Sequence, residues 1–233
     1  MHILQKCIYL FNDKKIRKNL FTKECQKKYA YVDTIFCKEI SEKNYIISKN
    51  KNILLHDFFK SWKNLKKKYI LFTVAYLYDN NLIHYCAFVF MQKERNLIVF
   101  DPGYNLYLHG KYKIIPIIFN VFHELDFIDK SNLKTICKNK SYNKIYYGLQ
   151  YDGSNDKLPA DAFCQMWTLF FLLEYINNNG NMSFFDEWCK IEPKYRQYFL
   201  IQNFLIKALH KINKCVNVNE ITDYLLNNFW IKI

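Results

Sequence analysis

The alternation of hydrophobic and polar positions predicts strands in the middle of the chain. Three apolar segments, YILFTVAYLY, IHYCAFVF and LIVFD, are separated by the polar turns DNN and QKERN. This pattern is typical of an antiparallel meander of three strands. Downstream, IIPIIFNVFHEL predicts a helix or a buried crossover, and NKIYYGLQY predicts another strand.

Helical patterns surround these strands. LLHDFFKSWKNLKKK places its apolar residues along one helical face, and DAFCQMWTLFFLLEYI is apolar on nearly every side, as a helix inside a core should be. From Pro193, PKYRQYFLIQNFLIKALHKI predicts a long amphipathic helix with proline in its first turn. The order predicts an α+β fold in which an antiparallel or mixed sheet packs against the buried helix, with further helices on both flanks.

Composition favours one compact domain. The 233 residues are 51% hydrophobic and 18% aromatic, and only 5 Gly and 4 Pro leave few places for a linker. We expect a monomeric single domain over residues 1–233. It would comprise a basic lead and helix (1–68), a central core (69–180) and C-terminal helices (181–233).

Charge and cysteine usage narrow the functional classes. The net charge of +13 comes mostly from lysine, so it reflects either compositional bias or a basic patch for nucleic acid. The eight cysteines show no C-x-x-C motif or zinc-type spacing, which favours free thiols in a reducing compartment and disfavours a metal site. The longest apolar stretch, MWTLFFLLEYI, is too short to span a bilayer and contains Glu174, and no signal peptide is evident. We expect a soluble intracellular protein without a membrane partner.

A histidine and an aspartate lie at neighbouring ends of two predicted strands. His84 opens the second strand of the meander, and Asp101 closes the third. The start of one strand lies beside the end of the next in an antiparallel hairpin, so the two side chains can meet. A carboxylate that binds one ring nitrogen leaves the other nitrogen as a base. The two residues are therefore either a proton-handling pair or two solvent-facing strand ends.

Cys164 is the candidate nucleophile. In PADAFCQMW, Asp161 is a suitable N-cap residue, which places Cys164 in the first turn of the buried helix. Helix N-termini stabilise anions, and a nearby imidazolium adds to the effect, so a thiol here is a better nucleophile than an ordinary one. Cys86 shares a strand face with His84 but is interpreted as a core residue.

The order and spacing of these residues resemble a clan of cysteine peptidases. The match H-Y-x-A-F … V-F-D-P runs without a gap from His84 to Pro102, and the order His, Asp, Cys is that of the adenovirus-protease and SUMO-protease clan. FCQMW resembles the divergent members found in large DNA viruses. The resemblance covers roughly residues 69–176 and implies a catalytic triad of Cys164, His84 and Asp101.

The resemblance also implies an activity. A clan member would be an endopeptidase or isopeptidase that cleaves after a small residue such as Gly and needs no resident cofactor. Its polypeptide substrate would be a viral structural polyprotein or a ubiquitin-like conjugate, in the host cytoplasm and the virion. The clan places an oxyanion-binding Gln just upstream of the Cys. Here the nearest is Gln150, farther upstream, with Asn155 or the Cys164 N–H as alternatives, and Gln165 follows the Cys where cellular members favour Gly.

Two other functions stay open. Effector acetyltransferases share the His, acid, Cys order and would need a basic pocket for coenzyme A. A catalytically decayed protease fold could serve as a basic scaffold that binds nucleic acid. The candidate basic surface is formed by Lys66, Lys67 and Lys68 in KSWKNLKKKY. The alternative interpretation is that these lysines only form a solvated face. Because adenovirus-type proteases use DNA as a cofactor, the resemblance implies DNA as a non-covalent activator.

Overall fold

A mixed β-sheet forms the centre of the structure. The computed structural model describes residues 10–21, 28–41, 44–47, 53–78, 82–103, 114–129, 145–150, 163–211 and 221. The strands are β1 (Tyr29–Ser41), β2 (Asn44–Ile47), β3 (Ile53–Leu54), β4 (Tyr69–Tyr78), β5 (Leu82–Met91), β6 (Asn96–Gly103) and β7 (Ile145–Gln150). The helices are α1 (Lys14–Phe21), α2 (Leu55–Lys60), α3 (Ile114–Glu124), α4 (Cys164–Asn177), α5 (Ser183–Lys190), α6 (Pro193–Leu200) and α7 (Ile206–Lys211).

Within the described residues, the strands form one sheet in the order β3-β2-β1-β4-β5-β6-β7. The meander β4-β5-β6 is antiparallel throughout, which confirms the prediction. β1 runs parallel to β4, and β7 runs parallel to β6, so the sheet is mixed. The long strand β1 had no counterpart in the sequence prediction.

The two faces of the sheet bury separate hydrophobic clusters. On one face, Leu71, Ala87, Val89 and Phe100 pack with residues of α4, α5 and the C-terminal helices. On the opposite face, Phe72, Phe88 and Val99 pack with α2 and α3. Successive side chains of a strand point to opposite faces, which is why the central strands β4 and β5 are largely apolar along their whole length. We call these the α4 face and the α3 face.

Helix α4 is buried along most of its length and packs against β5 and β6. Phe171 stacks on Phe100 with ring centroids 4.5 Å apart, and Trp167 is 1% exposed. A buried helix on a mixed sheet with helices on both faces confirms the predicted α+β fold. None of the helices in the described ranges is long and apolar enough to cross a membrane.

The helix predicted for LLHDFFKSWKNLKKK is shorter than expected. Helix α2 ends at Lys60, a 3-10 turn follows over Ser61–Asn64, and Leu65 is extended. Trp62 packs edge-on against Phe59 and Phe72 on the α3 face. The tighter 3-10 turn brings this indole into the aromatic cluster, so tertiary packing overrides the helical periodicity. Leu54, predicted on the apolar helical face, lies in β3 and is 47% exposed.

Candidate active site

His84 and Asp101 form a buried hydrogen-bonded pair. The distance from Nε2 of His84 to Oδ1 of Asp101 is 2.7 Å, and each side chain is only 4% exposed. The β5–β6 ladder runs from Met91↔Asn96 to Ala87↔Phe100, so both residues lie beyond its last pair, at the open end of the hairpin. The cross-strand meeting expected from the sequence therefore occurs, and it occurs in the interior rather than in solvent.

Cys164 is the first residue of α4 and lies beside this pair. It is buried, it packs against Ala75 and Tyr85 on the α4 face, and its thiol is 4.0 Å from the carbonyl oxygen of Ile83. The thiol also raises the pKa of His84, so the two groups lie close enough to interact. Because Nε2 of His84 faces Asp101, Nδ1 is the nitrogen left to take a thiol proton. The three predicted triad residues thus come from β5, β6 and α4 to one place.

The start of α4 differs in one detail from the prediction. The N-cap position is Phe163, which makes no side-chain capping hydrogen bond, rather than Asp161, which lies outside the described residues. Trp167 donates its backbone N–H to the Phe163 carbonyl, so the helix begins with a normal first turn. The first turn therefore carries the positive end of the helix dipole, and Cys164 lies in it as expected.

The environment of His84 makes it a strong base. Burial lowers the pKa of His84, but the Asp101 carboxylate and the thiols of Cys86 and Cys164 raise it. The net effect is a pKa well above the ordinary value of 6.5. These neighbours therefore favour the protonated form of His84, which is the form that the ring takes once it has accepted a thiol proton.

Cys86 is closer to the pair than its interpretation as a core residue implied. It lies on the same face of β5 as His84, and ligating atoms of His84, Cys86 and Asp101 all lie within 4.8 Å of one another. Burial raises the pKa of Cys86 to about 12, and the Asp101 carboxylate adds to the rise. Cys86 is therefore a thiol rather than a thiolate at neutral pH, so it is a poor candidate for the nucleophile.

The candidate oxyanion residues are only partly described. Gln150 ends β7, and its backbone pairs with Gly103 of β6, two residues beyond Asp101. This register brings the Gln150 backbone to the end of the sheet that carries His84 and Asp101, while its side chain lies outside the described part of the structure. Asn155 also lies outside the described residues. Gln150 stays a prediction.

Gln165, the residue after the candidate nucleophile, holds the N-terminal segment in place. Its side-chain amide donates to the Phe11 carbonyl at 3.0 Å, and Arg17 donates to the same oxygen at 2.7 Å. Arg17 also binds Asp33 of β1 through two hydrogen bonds of 2.7 and 2.9 Å. We call these four residues the Phe11 latch. It gives the buried Gln165 amide a hydrogen-bond partner.

The basic candidates lie at the opposite end of the hairpin. Lys66 and Lys68 are exposed in the segment that leads into β4, and Lys68 lies 3.8 Å from Glu94 in the β5–β6 turn. Lys67 donates its backbone N–H to the Gln92 side chain at 3.3 Å. The structure does not bring these lysines to His84, Asp101 and Cys164.

Comparisons with known proteins add a weak similarity. No family model matches the sequence, and no curated protein matches it. Among solved structures, the chain is similar to the Chlamydia abortus effector protein ChlaDUB, with a TM-score of 0.35 and 13% identity over 73% of this chain and 69% of that chain. A similarity of this size says nothing about activity, so the function has to be inferred from the site itself.

Proposed function

We propose that this protein is a cysteine peptidase with Cys164 as nucleophile, His84 as general base and Asp101 as the residue that orients His84. The observation that supports it is the 2.7 Å His84–Asp101 bond beside a thiol in the first turn of a helix. A carboxylate, an imidazole and a thiol in this order are the parts that nucleophilic acyl transfer needs.

The steps follow from the contacts. His84 takes the Cys164 thiol proton, and the thiolate attacks the peptide carbonyl carbon, which forms a C–S bond and an oxyanion. The positive end of α4 stabilises the oxyanion, with Gln150 as the proposed side-chain donor. Collapse of the oxyanion breaks the C–N bond, and His84 gives its proton to the leaving amine. Water, deprotonated by His84, then hydrolyses the thioester and restores the thiol.

The substrate class is the finer part of the proposal. The resemblance to the adenovirus-protease and SUMO-protease clan favours cleavage after a small residue such as Gly, in a viral structural precursor or a ubiquitin-like conjugate. Cys164 is buried, so a peptide can reach its thiol only if the surrounding groups move aside. A flat residue without a side chain at the scissile position requires the least displacement.

The test uses a fluorogenic peptide that ends in Gly-Gly together with an electrophilic probe built on the same sequence. We expect the wild-type protein to cleave the peptide and to label at Cys164. Cys164→Ala should abolish both, whereas the matched control Cys189→Ala, which removes an exposed thiol, should retain both. Cleavage by the Cys164→Ala protein would overturn the proposal. Transfer of a labelled acetyl group from acetyl-CoA to Cys164, with no peptide cleavage, would favour an acetyltransferase instead.

A second proposal concerns nucleic acid at Lys66, Lys67 and Lys68. From His84 to Met91, β5 spans roughly 23 Å at the usual rise per residue. Lys68 lies at the Met91 end, where its carbonyl accepts the Gln92 N–H at 3.2 Å. DNA bound there would tether the protein near its substrate without touching the catalytic residues, and phosphate contacts by lysine carry no base specificity.

Salt dependence tests the nucleic-acid proposal. Changing Lys66, Lys67 and Lys68 to Glu should weaken binding to duplex DNA and reduce the salt-dependence slope by as much as ~2.7, because each lost phosphate contact contributes about 0.9. The matched control changes the exposed lysines Lys14, Lys15 and Lys18 of α1 to Glu, which alters the net charge equally. Equal losses in the two triple variants would show that only net charge matters.

A further inference from the structure

The candidate active site contains a third group that the proposed mechanism does not use. Cys86 lies two residues after His84 on the α3 face of β5, and it pairs with Val74 of β4. The side chains of His84, Cys86 and Asp101 are all buried, with ligating atoms within 4.8 Å of one another. β5 is paired with β4 at His84 and Cys86, and β6 is paired with β7 at Asp101. Strand pairing therefore holds the backbone that carries the three groups.

The three groups have the chemistry of a zinc site. Zn²⁺ binds imidazole nitrogen, thiolate sulfur and carboxylate oxygen at about 2.0–2.3 Å, and three protein ligands with one open position are typical of reactive sites. Tetrahedral bonds of that length place donor atoms roughly 3.3–3.7 Å apart. The farthest donor atoms of the cluster, up to 4.8 Å apart, therefore have to approach by roughly 1 Å, and the His84–Asp101 pair, 2.7 Å apart, has to open by roughly 0.6 Å. Charges also balance: a divalent cation, one thiolate and one carboxylate sum to zero, which suits a buried site.

We propose that His84, Cys86 and Asp101 bind a thiophilic divalent cation of the Zn²⁺ class. When the metal binds, the Cys86 thiol and the protonated His84 ring each lose a proton to solvent, and the His84–Asp101 hydrogen bond is replaced by a bond from each residue to the metal. The binding itself does not depend on the proposed function. Its consequence does: the cation would occupy the base and the orienting carboxylate of the peptidase, and so inhibit peptide cleavage reversibly.

The test uses Co²⁺ as a spectroscopic substitute for Zn²⁺, with a non-thiol reductant present. We expect the wild-type protein to show a thiolate-to-cobalt charge-transfer band that Zn²⁺ displaces, and Zn²⁺ to raise its thermal unfolding midpoint. Cys86→Ala should lose the band and the rise. The matched control is Cys37→Ala, a second buried strand cysteine on the α3 face, and it should keep both. Cys86→Ser provides the same comparison if the Ala variant does not fold.

The Cys164→Ala variant separates this site from ordinary metal binding by a reactive thiol. The proposal expects Cys164→Ala to retain the cobalt band. A band that survives Cys86→Ala, that disappears with Cys164→Ala, or that is missing from the wild-type protein would overturn it. If the metal-free wild-type protein cleaves no peptide but the band depends on Cys86, the peptidase proposal fails and the metal site stands. If cleavage occurs but the band does not depend on Cys86, the metal-site proposal fails and the peptidase proposal stands.

Discussion

The two ends of the β5–β6 hairpin carry ion pairs of equal length and different character. At the open end, His84 and Asp101 are 2.7 Å apart and each is 4% exposed. At the turn end, Arg95 lies 2.7 Å from Asp126 and 2.9 Å from Asp129, with side chains that are 40%, 84% and 56% exposed. Water screens the charges at the turn end but not those at the open end. At the same distance, the electrostatic interaction is therefore stronger between His84 and Asp101.

The difference in exposure suits the two sets of charges to different roles. A pair removed from water polarises its partners and fixes a tautomer, which is useful to a catalyst and costly to maintain. The turn-end pairs hold a turn in which Arg95 itself has a positive φ of 48°. Variants that break the pair at each end separately test this contrast.

The largest effect is expected on activity at the open end. Asp101→Asn keeps the side-chain shape but removes the charge and allows the wrong His84 tautomer. We expect peptide cleavage to fall by a factor on the order of 10⁴, with the fold retained, as in comparable triads. Steady-state kinetics alongside circular dichroism measures this. Near-normal turnover would mean that Asp101 has no role in orienting the base.

The Phe11 latch should dominate stability. Arg17 and Asp33 have side chains that are 2% and 13% exposed. Arg17→Met removes one partner of this buried pair, so we expect a loss of about 3–5 kcal/mol in the free energy of unfolding. Urea denaturation measures it, and the double variant Arg17→Met/Asp33→Leu should recover part of the loss. If the single variant costs no more than Arg95→Ala, the pair is energetically a surface pair.

Stability should depend on pH through His84. Its folded-state pKa lies above 6.5, so in the window above pH 6.5 the folded protein holds a proton that the unfolded chain releases. This contribution is complete below the unfolded pKa and is lost as pH rises through the folded pKa, by at most ~1.4 kcal/mol per pH unit. The groups that face the ring are Asp101, Cys86 and Cys164. Denaturation of the wild-type protein and His84→Gln in metal-free buffer should show their stability difference shrinking with rising pH, and a growing difference would contradict the assignment.

The smallest effect is expected at the turn. Arg95→Ala removes two exposed ion pairs, and we expect only a small decrease in the thermal unfolding midpoint that disappears in high salt. Scanning calorimetry at low and high ionic strength checks it. A large, salt-independent decrease would erase the contrast between the two ends.

Much of the fold, and the meeting of His84 with Asp101, was predictable because the signals are local. Strand alternation, polar turns and an apolar helix identify β4 to β6 and α4, and hairpin geometry brings His84 to Asp101. The parallel pairing of β1 with β4 joins segments that are far apart in the sequence, and no local pattern encodes it. The sequence indicated only a core position for Cys86 for a related reason. Its closeness to Asp101 depends on the register between two strands.

The arginines were the missed signal. In a lysine-rich chain only Arg17, Arg95 and Arg196 are arginine. Arg17 joins Phe11 to Asp33, Arg95 joins two aspartates, and Arg196 donates to the carbonyls of Ile191 and Cys189. Each uses the planar guanidinium to hold two groups at once, which a lysine cannot do with fixed geometry. Rare arginines in such a composition indicate structural junctions.

The central claim is that His84 activates the Cys164 thiol, and the pH dependence of alkylation tests it most directly. Iodoacetamide labelling, followed residue by residue by mass spectrometry, compares Cys164 with the exposed Cys189 in the wild-type protein and in His84→Gln. Gln can still donate to Asp101, so the variant removes the base without leaving a buried carboxylate unpaired. We predict that wild-type Cys164 reacts at lower pH than Cys189, and that His84→Gln moves the Cys164 profile to higher pH while Cys189 stays unchanged. Identical Cys164 profiles in the two proteins would contradict the account.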